Sequence, residues 1–531
     1  MVDVMEQTPP LLHGLSEKER KYDRQLRLWA ASGQSALESA NILLVNSGCG
    51  TVGVETLKNL VLPGIGKFTI ADEAKVSDED LGVNFFLDEG CKGKSRAQCC
   101  AEFLTELNPE VRGDWWPREK HSSSFEELLA SPEPFTAILY SAPISEERLQ
   151  MLETYASQFQ TPLIAVQSAG FYGYFQVKLP GAFPIVDTHP DDTAIDDLRV
   201  LAPWPELEDF ARNMTKNIEN LDEHDHGHLP MVVLLLHYLE EWRKSHEGAN
   251  PINLKDKTEF RKGLEAAMRK TNADGGEENY EEAVSGVMRH VQPPALPSTL
   301  RQVFDYQRRG TDADSSFWLI AAAVKKFHEK HGTLPVSGGL PDMKAQSDVY
   351  IRLQNLYKTK ARQDAREVLA TVQNMEGGAD VESAEVELFC TNARFIKLIN
   401  GADVAPKTLV QVTEQELAND EMAAVVGPEM PYSLIGIYLA LTATTHLESA
   451  SEEDIESSIT SHVPIAAGKE RILKAAKEVA RAGGVELHNT SAVLGGMVAQ
   501  EMIKIITKQY IPVDNTCIFD GIDSRCQVLR L

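Results

Sequence analysis

The stretch NILLVNSGCGTVG, residues 41–53, decides the fold of this chain. It begins with an apolar run that predicts a buried strand, and it ends in a turn that contains Gly48, Gly50 and Gly53. Gly48 permits the tight turn, Gly50 lets backbone N–H groups approach a phosphate, and Gly53 allows the next helix to lie close to the strand. The pattern therefore predicts a strand, a phosphate-binding turn and a helix, in that order.

The residues after the turn complete a nucleotide-binding unit. Residues 54–61 have the apolar spacing of a helix, residues 63–66 stop it, and residues 68–71 predict a second strand that ends at Asp72. A carboxylate at this point can accept a hydrogen bond from a ribose hydroxyl. The unit is typical of a Rossmann-type fold, and its candidate nucleotide contacts are Gly48, Gly50, Gly53 and Asp72.

The composition argues against several other classes of protein. The chain has 531 residues, enough for about two to four domains, and its formal net charge of −27 would repel a nucleic-acid backbone. The first residues lack the pattern of a signal peptide, and the longest apolar runs are shorter than the ~20 residues that span a bilayer. We therefore expect an intracellular protein of the cytoplasm and nucleus that binds neither nucleic acid nor a membrane.

The cysteine and histidine patterns predict no metal site. The seven cysteines include no C-x-x-C pair, which supports neither zinc nor a disulfide framework and favours a reducing environment. The histidine tract at residues 224–228 is interpreted as a turn before the next helix rather than as a metal site. Cys390 lies in a partly apolar helical segment and is interpreted as a core residue rather than a nucleophile.

The order of predicted elements divides the chain into four parts. Residues 1–17 are expected to be a flexible lead. Strands alternate with helices over residues 18–180, which predicts a mostly parallel sheet covered on both faces. Residues 181–485 are dominated by amphipathic helices and predict a large α-helical insert. Residues 486–531 return to α/β character, are too short to form a core alone, and are expected to complete the first sheet.

Several motifs outside the glycine turn resemble one known family. They are Tyr22-x-Arg24-Gln25, Asp72, Asn84 and the helix start at Gly93. Together with the turn, they resemble the adenylating domains of ubiquitin-activating enzymes and of molybdopterin-synthase adenylyltransferases. The resemblance implies that residues 18–180 and 486–531 form one adenylation-type domain, and that the helical insert occupies the place of a catalytic-cysteine domain.

Three positions depart from the pattern of an active member of that family. Residues 84–86 read Asn-Phe-Phe where the family has Asn-Arg-Gln, and Arg96 stands where the family has a lysine. The turn at residues 141–143 reads Ser-Ala-Pro, without the carboxylate that would bind Mg²⁺. Because ATP needs fixed cations and Mg²⁺ to neutralise its charge, these changes predict a site with no cofactor of its own.

Further motifs resemble the regulatory, non-catalytic subunits of the enzymes that activate ubiquitin-like modifiers in neddylation. They are His228-x-Pro230, residues 340–343, residues 353–357 and residues 495–507. The resemblance implies a heterodimer in which a catalytic partner subunit binds ATP and Mg²⁺ and carries the thioester cysteine. It also implies that the chain helps to position a ubiquitin-like modifier.

The resemblance assigns a catalytic role to Arg24. It implies that the guanidinium reaches across the interface to the phosphates of the partner's ATP, as a trans-acting arginine does in phosphoryl transfer. Tyr22, Leu26 and Trp29 fall on one face of the predicted helix and would fix that reach. From the residues alone, a surface ion pair is the alternative for Arg24.

Other functions stay open at this point. The chain resembles, more distantly, the regulatory subunit of the SUMO-activating enzyme, which is shorter and lacks an insert of this size. A self-sufficient adenylating enzyme would run the reaction alone, and an NAD-binding dehydrogenase would use the glycine turn and Asp72 for a dinucleotide. A pure adaptor would not need Arg24.

Overall fold

The computed structural model describes residues 16–118, 124–191, 197–270, 276–307, 316–399, 407–427, 429–446 and 451–531. Nearly all of the predicted N-terminal lead lies outside the described residues. The chain divides into two compact units: unit 1 comprises Met1–Phe183 and Ala402–Leu531, and unit 2 comprises Pro184–Gly401.

The described residues form ten strands and twenty-one α-helices. The strands are β1 (Asn41–Val45), β2 (Lys67–Ala71), β3 (Arg112–Trp116), β4 (Ala137–Ser141), β5 (Leu163–Ala169), β6 (Tyr172–Lys178), β7 (Phe183–Val186), β8 (Ile396–Ile399), β9 (Thr516–Asp520) and β10 (Arg525–Leu529). The helices are α1 (Glu17–Lys21), α2 (Asp23–Ser39), α3 (Thr51–Val61), α4 (Asp78–Val83), α5 (Arg96–Leu107), α6 (Phe125–Leu129), α7 (Glu146–Phe159), α8 (Pro205–Met214), α9 (Glu223–His226), α10 (Met231–Ser245), α11 (Leu254–Ala267), α12 (Glu278–His290), α13 (Ser298–Asp305), α14 (Ser316–His331), α15 (Ser347–Gln373), α16 (Ser383–Thr391), α17 (Leu409–Val426), α18 (Ile435–Ala443), α19 (Glu452–His462), α20 (Glu470–Ala482) and α21 (His488–Thr507).

Unit 1 is built around an eight-stranded sheet with the order β10-β9-β6-β5-β4-β1-β2-β3. The five strands from β5 to β3 in this order are parallel to one another, whereas the pairs β5–β6, β6–β9 and β9–β10 are antiparallel. The C-terminal strands thus join the sheet that the N-terminal residues begin. The prediction of an α/β fold with a mostly parallel sheet is confirmed.

Helices cover both faces of the sheet, which explains why β1 is apolar along its whole length. Leu43 and Val45 belong to a core cluster that includes Leu152 and Tyr155 of α7. On the opposite face, Leu44 lies beside α3. A parallel strand buried on both sides needs a continuous apolar run rather than an alternating one.

Unit 2 is mainly helical and has its own core. It contains α8 to α16, and its largest fully buried side chains are Tyr280 and Tyr357. The Tyr357 hydroxyl donates a 2.6 Å hydrogen bond to the carbonyl of Leu198, so its polar end is satisfied inside the core. Helix α16 ends at Thr391 and does not continue to Ile399. Buried and half-buried residues then alternate along β8, as expected of a strand.

Residues 402–485 lie in unit 1, although the sequence analysis placed the end of the helical insert at residue 485. The physical reason is the packing of α18 and α20. Their apolar residues form one core cluster with Tyr172 and Tyr174 of β6 and with Ile518 of β9. Helical periodicity alone does not distinguish a helix that covers a sheet from a helix of a separate bundle.

Helices in the described part of the chain are all too short or too polar to cross a bilayer.

Helices α21 and α3 pack tightly against each other at Gly495. A Cβ added at Gly495 would lie 2.8 Å from the Cβ of Glu55 and 2.9 Å from the backbone nitrogen of Thr56. A Cβ at the adjacent Gly496 would meet no atom within 4 Å. Gly495 therefore sets the distance between the two helices, and Gly496 does not.

We expect Gly495→Ala to destabilise unit 1 by about 1–3 kcal/mol, because the added methyl group would push α21 away from α3. The matched control is Gly496→Ala, which we expect to be neutral or to stabilise by up to about 1 kcal/mol, because alanine favours a helix interior. Urea unfolding of both full-length variants measures the difference. Equal shifts of the two midpoints would contradict the close contact.

Candidate functional site

Three glycines shape the turn between β1 and α3. Gly48 and Gly50 have φ angles of 59° and 64°, in the left-handed region that favours glycine. A Cβ at Gly50 would overlap the side chain of Asn46, and a Cβ at Gly53 would lie 2.8 Å from Cδ1 of Leu44. The backbone conformation at Gly48 and Gly50 and the packing at Gly50 and Gly53 therefore require glycine, whether or not a phosphate binds.

Asp72, at the end of β2, is held entirely by groups of the same chain. Its Oδ2 accepts a 2.7 Å hydrogen bond from Nε of Arg96, and its Oδ1 accepts a 3.2 Å bond from Nη2 of the same guanidinium. Asn46 donates to Oδ2 at 3.2 Å, and the backbone N–H of Ala74 donates to Oδ1 at 2.9 Å. The oxygens that a ribose hydroxyl would contact are already used.

The remaining donor groups of Arg96 are also occupied. Nη1 lies 2.8 Å from Oδ1 of Asp80 and 3.1 Å from the carbonyl oxygen of Cys49 in the glycine turn. All three charged side chains, Arg96, Asp72 and Asp80, are buried. Burial alone would lower the pKa of the Arg96 guanidinium, but the carboxylates of Asp72 and Asp80 outweigh it and raise that pKa overall. The arginine is therefore a permanent buried cation with two internal counter-ions.

The first turn of α3, where a nucleotide phosphate would bind, contacts the carboxyl group of Glu486 instead. Oε2 of Glu486 accepts a 2.9 Å hydrogen bond from the backbone N–H of Val52 and a 2.8 Å bond from the hydroxyl of Ser491. Glu486 is buried, and burial raises the pKa of its carboxyl group to about 7 in spite of these bonds and of nearby Arg96.

The fit of a nucleotide to this turn can be tested on these contacts. A phosphate at the N-terminus of α3 would compete with Glu486 for the Val52 N–H, and a ribose would compete with Arg96 for Asp72. Gly48, Gly50, Gly53 and Asp72 do come together at one end of the sheet, as a Rossmann unit requires. The residues around them do not fit a bound nucleotide in this arrangement.

Asn84 and the aromatic residues that follow it belong to the local packing. Asn84 is buried, and its Oδ1 accepts a 3.1 Å hydrogen bond from the N–H of Phe86. The ring of Phe85 stacks on His488 with a centroid distance of 3.7 Å, and Nε2 of His488 lies 3.0 Å from Oε1 of Glu55 in α3. An aromatic stack therefore stands where the family pattern has a cationic side chain.

The end of β4, where the family has a carboxylate for Mg²⁺, is occupied by Ser141. Its Oγ accepts a 2.7 Å hydrogen bond from the N–H of Ser47 and donates a 3.1 Å bond to Oδ1 of Asn46. These bonds hold the glycine turn against β4. In the described part of the chain, no three His, Cys, Asp or Glu side chains are grouped so as to bind a metal ion.

Arg24 lies in the first turn of α2, away from these contacts. It is exposed and pairs with no carboxylate among the described residues, whereas Arg27 lies 3.1 Å from Asp23. Next to it, Tyr22 is buried and accepts a 3.1 Å hydrogen bond from Asn108. Trp29 is buried as well, at a kink in α2. The part of α2 before the kink, which carries Arg24, is therefore anchored at both of its ends.

The histidine tract and Cys390 belong to the packing of unit 2. Nδ1 of buried His226 lies 2.7 Å from Oε1 of Glu277, and the rings of His224 and His228 stack at 4.3 Å. Cys390 is buried, and burial raises the pKa of its thiol. Neither feature has the geometry of a reactive site.

Sequence reasoning missed two residues of this site, Asp80 and Glu486. Asp80 carried a signal, because an acid at the third position of a helix that follows Ser77 is typical of a capping box, which the structure contains. Glu486 carried none. It lies far from the glycine turn in the sequence, between two glycines and the start of α21, and only the fold brings it to Val52.

Comparisons with known proteins agree with this architecture. The model of the ThiF family matches residues 22–531. The NEDD8-activating enzyme E1 regulatory subunit of Danio rerio is 33% identical to the chain, over 97% of the chain and 99% of that protein. The proteins of the same name from Xenopus laevis and Drosophila melanogaster are 34% and 36% identical, over 95% and 97% of the chain and 97% and 98% of those proteins.

We expect Arg96→Met to destabilise the chain by about 3–5 kcal/mol, because it would leave the carboxylates of Asp72 and Asp80 buried without a cation. The matched control is Arg27→Met, which breaks an exposed ion pair with Asp23 and should cost less than about 1 kcal/mol. The urea midpoints of the two variants measure this difference. Similar midpoints would show that the buried cluster does not hold the turn.

We expect Glu486→Gln to stabilise the chain relative to the unmodified protein as the pH rises. The pKa of Glu486 is raised from 4.5 to about 7 in the folded chain, so its contribution to stability is present below pH 4.5 and is lost as the pH passes 7. Glutamine does not ionise, so the free-energy difference between the two proteins should grow by up to roughly 3 kcal/mol between pH 5 and pH 8. Thermal unfolding across this range measures it, and a difference independent of pH would contradict the raised pKa.

Proposed function

This chain belongs to the ThiF family and, within it, to the NEDD8-activating enzyme E1 regulatory subunits, and from that premise we propose that it forms a heterodimer with a catalytic subunit and supplies Arg24 to that subunit's ATP site. The partner binds ATP and Mg²⁺ and carries the thioester cysteine. The pair activates a ubiquitin-like modifier of the neddylation pathway, inside the cell in the cytoplasm and nucleus.

The filled glycine turn is the observation that carries this proposal. Glu486 takes the N–H that a phosphate would contact, and Arg96 takes the carboxylate that a ribose would contact. A chain in this arrangement has the framework of an adenylating domain without a free nucleotide site. Such a chain contributes to adenylation through a neighbour. A self-sufficient adenylating enzyme and a dinucleotide-binding dehydrogenase would both need this turn for themselves.

The state of the cysteines supports a thioester cysteine on the partner. A thiol that attacks an acyl adenylate must reach its thiolate form, which a lowered pKa favours. Cys390 is buried, which raises the pKa of its thiol. Cys526 is the exposed cysteine, and the partial burial of its thiol raises its pKa as well. Neither residue has the electropositive surroundings of an activated nucleophile.

The placement of Arg24 supports its role in trans. In the proposed reaction the modifier's C-terminal carboxylate attacks the α-phosphorus of ATP, the bond to pyrophosphate breaks, and an acyl adenylate forms. The partner's cysteine then displaces AMP to give the thioester. A guanidinium next to the phosphates stabilises the negative charge that develops on them, and an arginine that pairs with no carboxylate among the described residues is available for this task.

The anchored helix would limit the motion of that arginine. Tyr22 is buried beside Arg24 and is also hydrogen bonded to Glu110 at 3.1 Å. Preorganised donors are effective because little reorganisation is needed when the charge develops.

We expect Arg24→Ala to lower the rate of modifier-dependent ATP–pyrophosphate exchange by the assembled heterodimer at least about tenfold, because a charged donor to the phosphates is lost. Heterodimer formation should be unchanged, because the exposed side chain does not support the fold. The matched control is Arg27→Ala, one turn further along α2, which should retain the exchange rate.

A heterodimer with Arg24→Ala that keeps full exchange activity would reduce the chain to an adaptor. Exchange catalysed by the isolated chain at the rate of the assembled pair would refute the proposal as a whole. Co-purification of the chain with its bound subunit identifies the partner directly.

A further inference from the structure

The segment that leads into α21 places one carboxyl group at the glycine turn. The carbonyl oxygen of Val485 accepts a 2.9 Å hydrogen bond from the N–H of Gly170 at the end of β5, which ties the segment to the sheet. The next residue, Glu486, then reaches the N–H of Val52 and the hydroxyl of Ser491. Its position is therefore fixed from both sides.

We propose that the Glu486 carboxyl group is an internal occupant of the phosphate position, and that it excludes nucleotide phosphates from this chain's own turn. The N-terminus of a helix attracts anions because its N–H groups are unpaired and its dipole is positive there. In this chain that attraction is satisfied by a side chain that the fold delivers. Any phosphate must displace it and would also approach a buried acid.

The exclusion acts through occupancy rather than through the lack of a phosphate-binding turn. The glycines keep the backbone conformation of a phosphate-binding turn, and α3 begins directly after it with Gly50 in the left-handed region. The hydroxyl of Thr51, the first residue of α3, is buried and makes no hydrogen bond within the described part of the chain. With the Glu486 side chain removed, this turn would accept a small polyanion such as pyrophosphate.

The test is a comparison of thermal unfolding with and without sodium pyrophosphate, using the full-length chain. The unmodified protein should show no stabilisation. Glu486→Ala should gain a rise in Tm of about 2 °C at a concentration ten times its dissociation constant. Glu486→Gln should behave as the unmodified protein, because its amide oxygen still accepts from Val52 and fills the position. Glu486→Ser serves if the alanine variant does not fold.

The matched control is Glu416→Ala, which removes another buried glutamate of unit 1, one that accepts a 2.6 Å hydrogen bond from Ser433. Pyrophosphate should not stabilise this control. The inference is overturned if the unmodified chain responds to pyrophosphate as strongly as Glu486→Ala, or if a folded Glu486→Ala or Glu486→Ser variant responds no more than the control. The outcome is independent of Arg24, because no partner subunit is present.

Discussion

The buried guanidinium of Arg96 is the interaction on which the glycine turn depends. It joins three separate pieces of unit 1: Asp72 at the end of β2, Asp80 in α4, and the carbonyl of Cys49 in the turn. Removing these charges from water is costly, and the cost is recovered only when their hydrogen bonds are made inside the protein. Here both carboxylates and the guanidinium meet that condition, so the turn is held without a ligand.

This internal arrangement separates the two tasks of an adenylation fold. One task is to build a rigid framework around the first strand and helix, and the other is to bind the nucleotide. Arg96, Glu486 and Ser141 replace ligand contacts with contacts inside the chain. The framework is then held by contacts of the chain itself. Under the proposed function, a framework held in this way suits a chain that serves a reaction on its neighbour and positions Arg24 for it.

The sequence predicted the fold better than it predicted the site. The strand, turn, helix and second strand were readable because an apolar run, three glycines and a terminal acid follow each other within about thirty residues. Asp72 was correctly placed at the end of β2, but its partners were not foreseen. Arg96 is 24 residues away from Asp72, and Glu486 is 434 residues away from Val52. Contacts of that range depend on packing, which local patterns do not encode.

The same limit explains the position of residues 402–485. Their helical periodicity was visible, but the surface that their apolar faces cover was not. In the structure, α18 and α20 share a core with Tyr174 of β6 and Ile518 of β9, residues that lie far apart in the sequence. Periodicity identifies the buried face of a helix and leaves its neighbour undetermined.

The place of β9 in the sheet has a consequence for synthesis of the protein. β9 pairs with β6, and Gln176 and Thr516, which are paired in this ladder, are 340 residues apart. During translation the edge of β6 that pairs with β9 keeps its N–H and C=O groups unpaired until nearly the whole polypeptide has left the ribosome. An unpaired strand edge on a nascent chain is prone to join other chains. The edge of β6 is therefore an aggregation-prone edge of the nascent chain until β9 arrives.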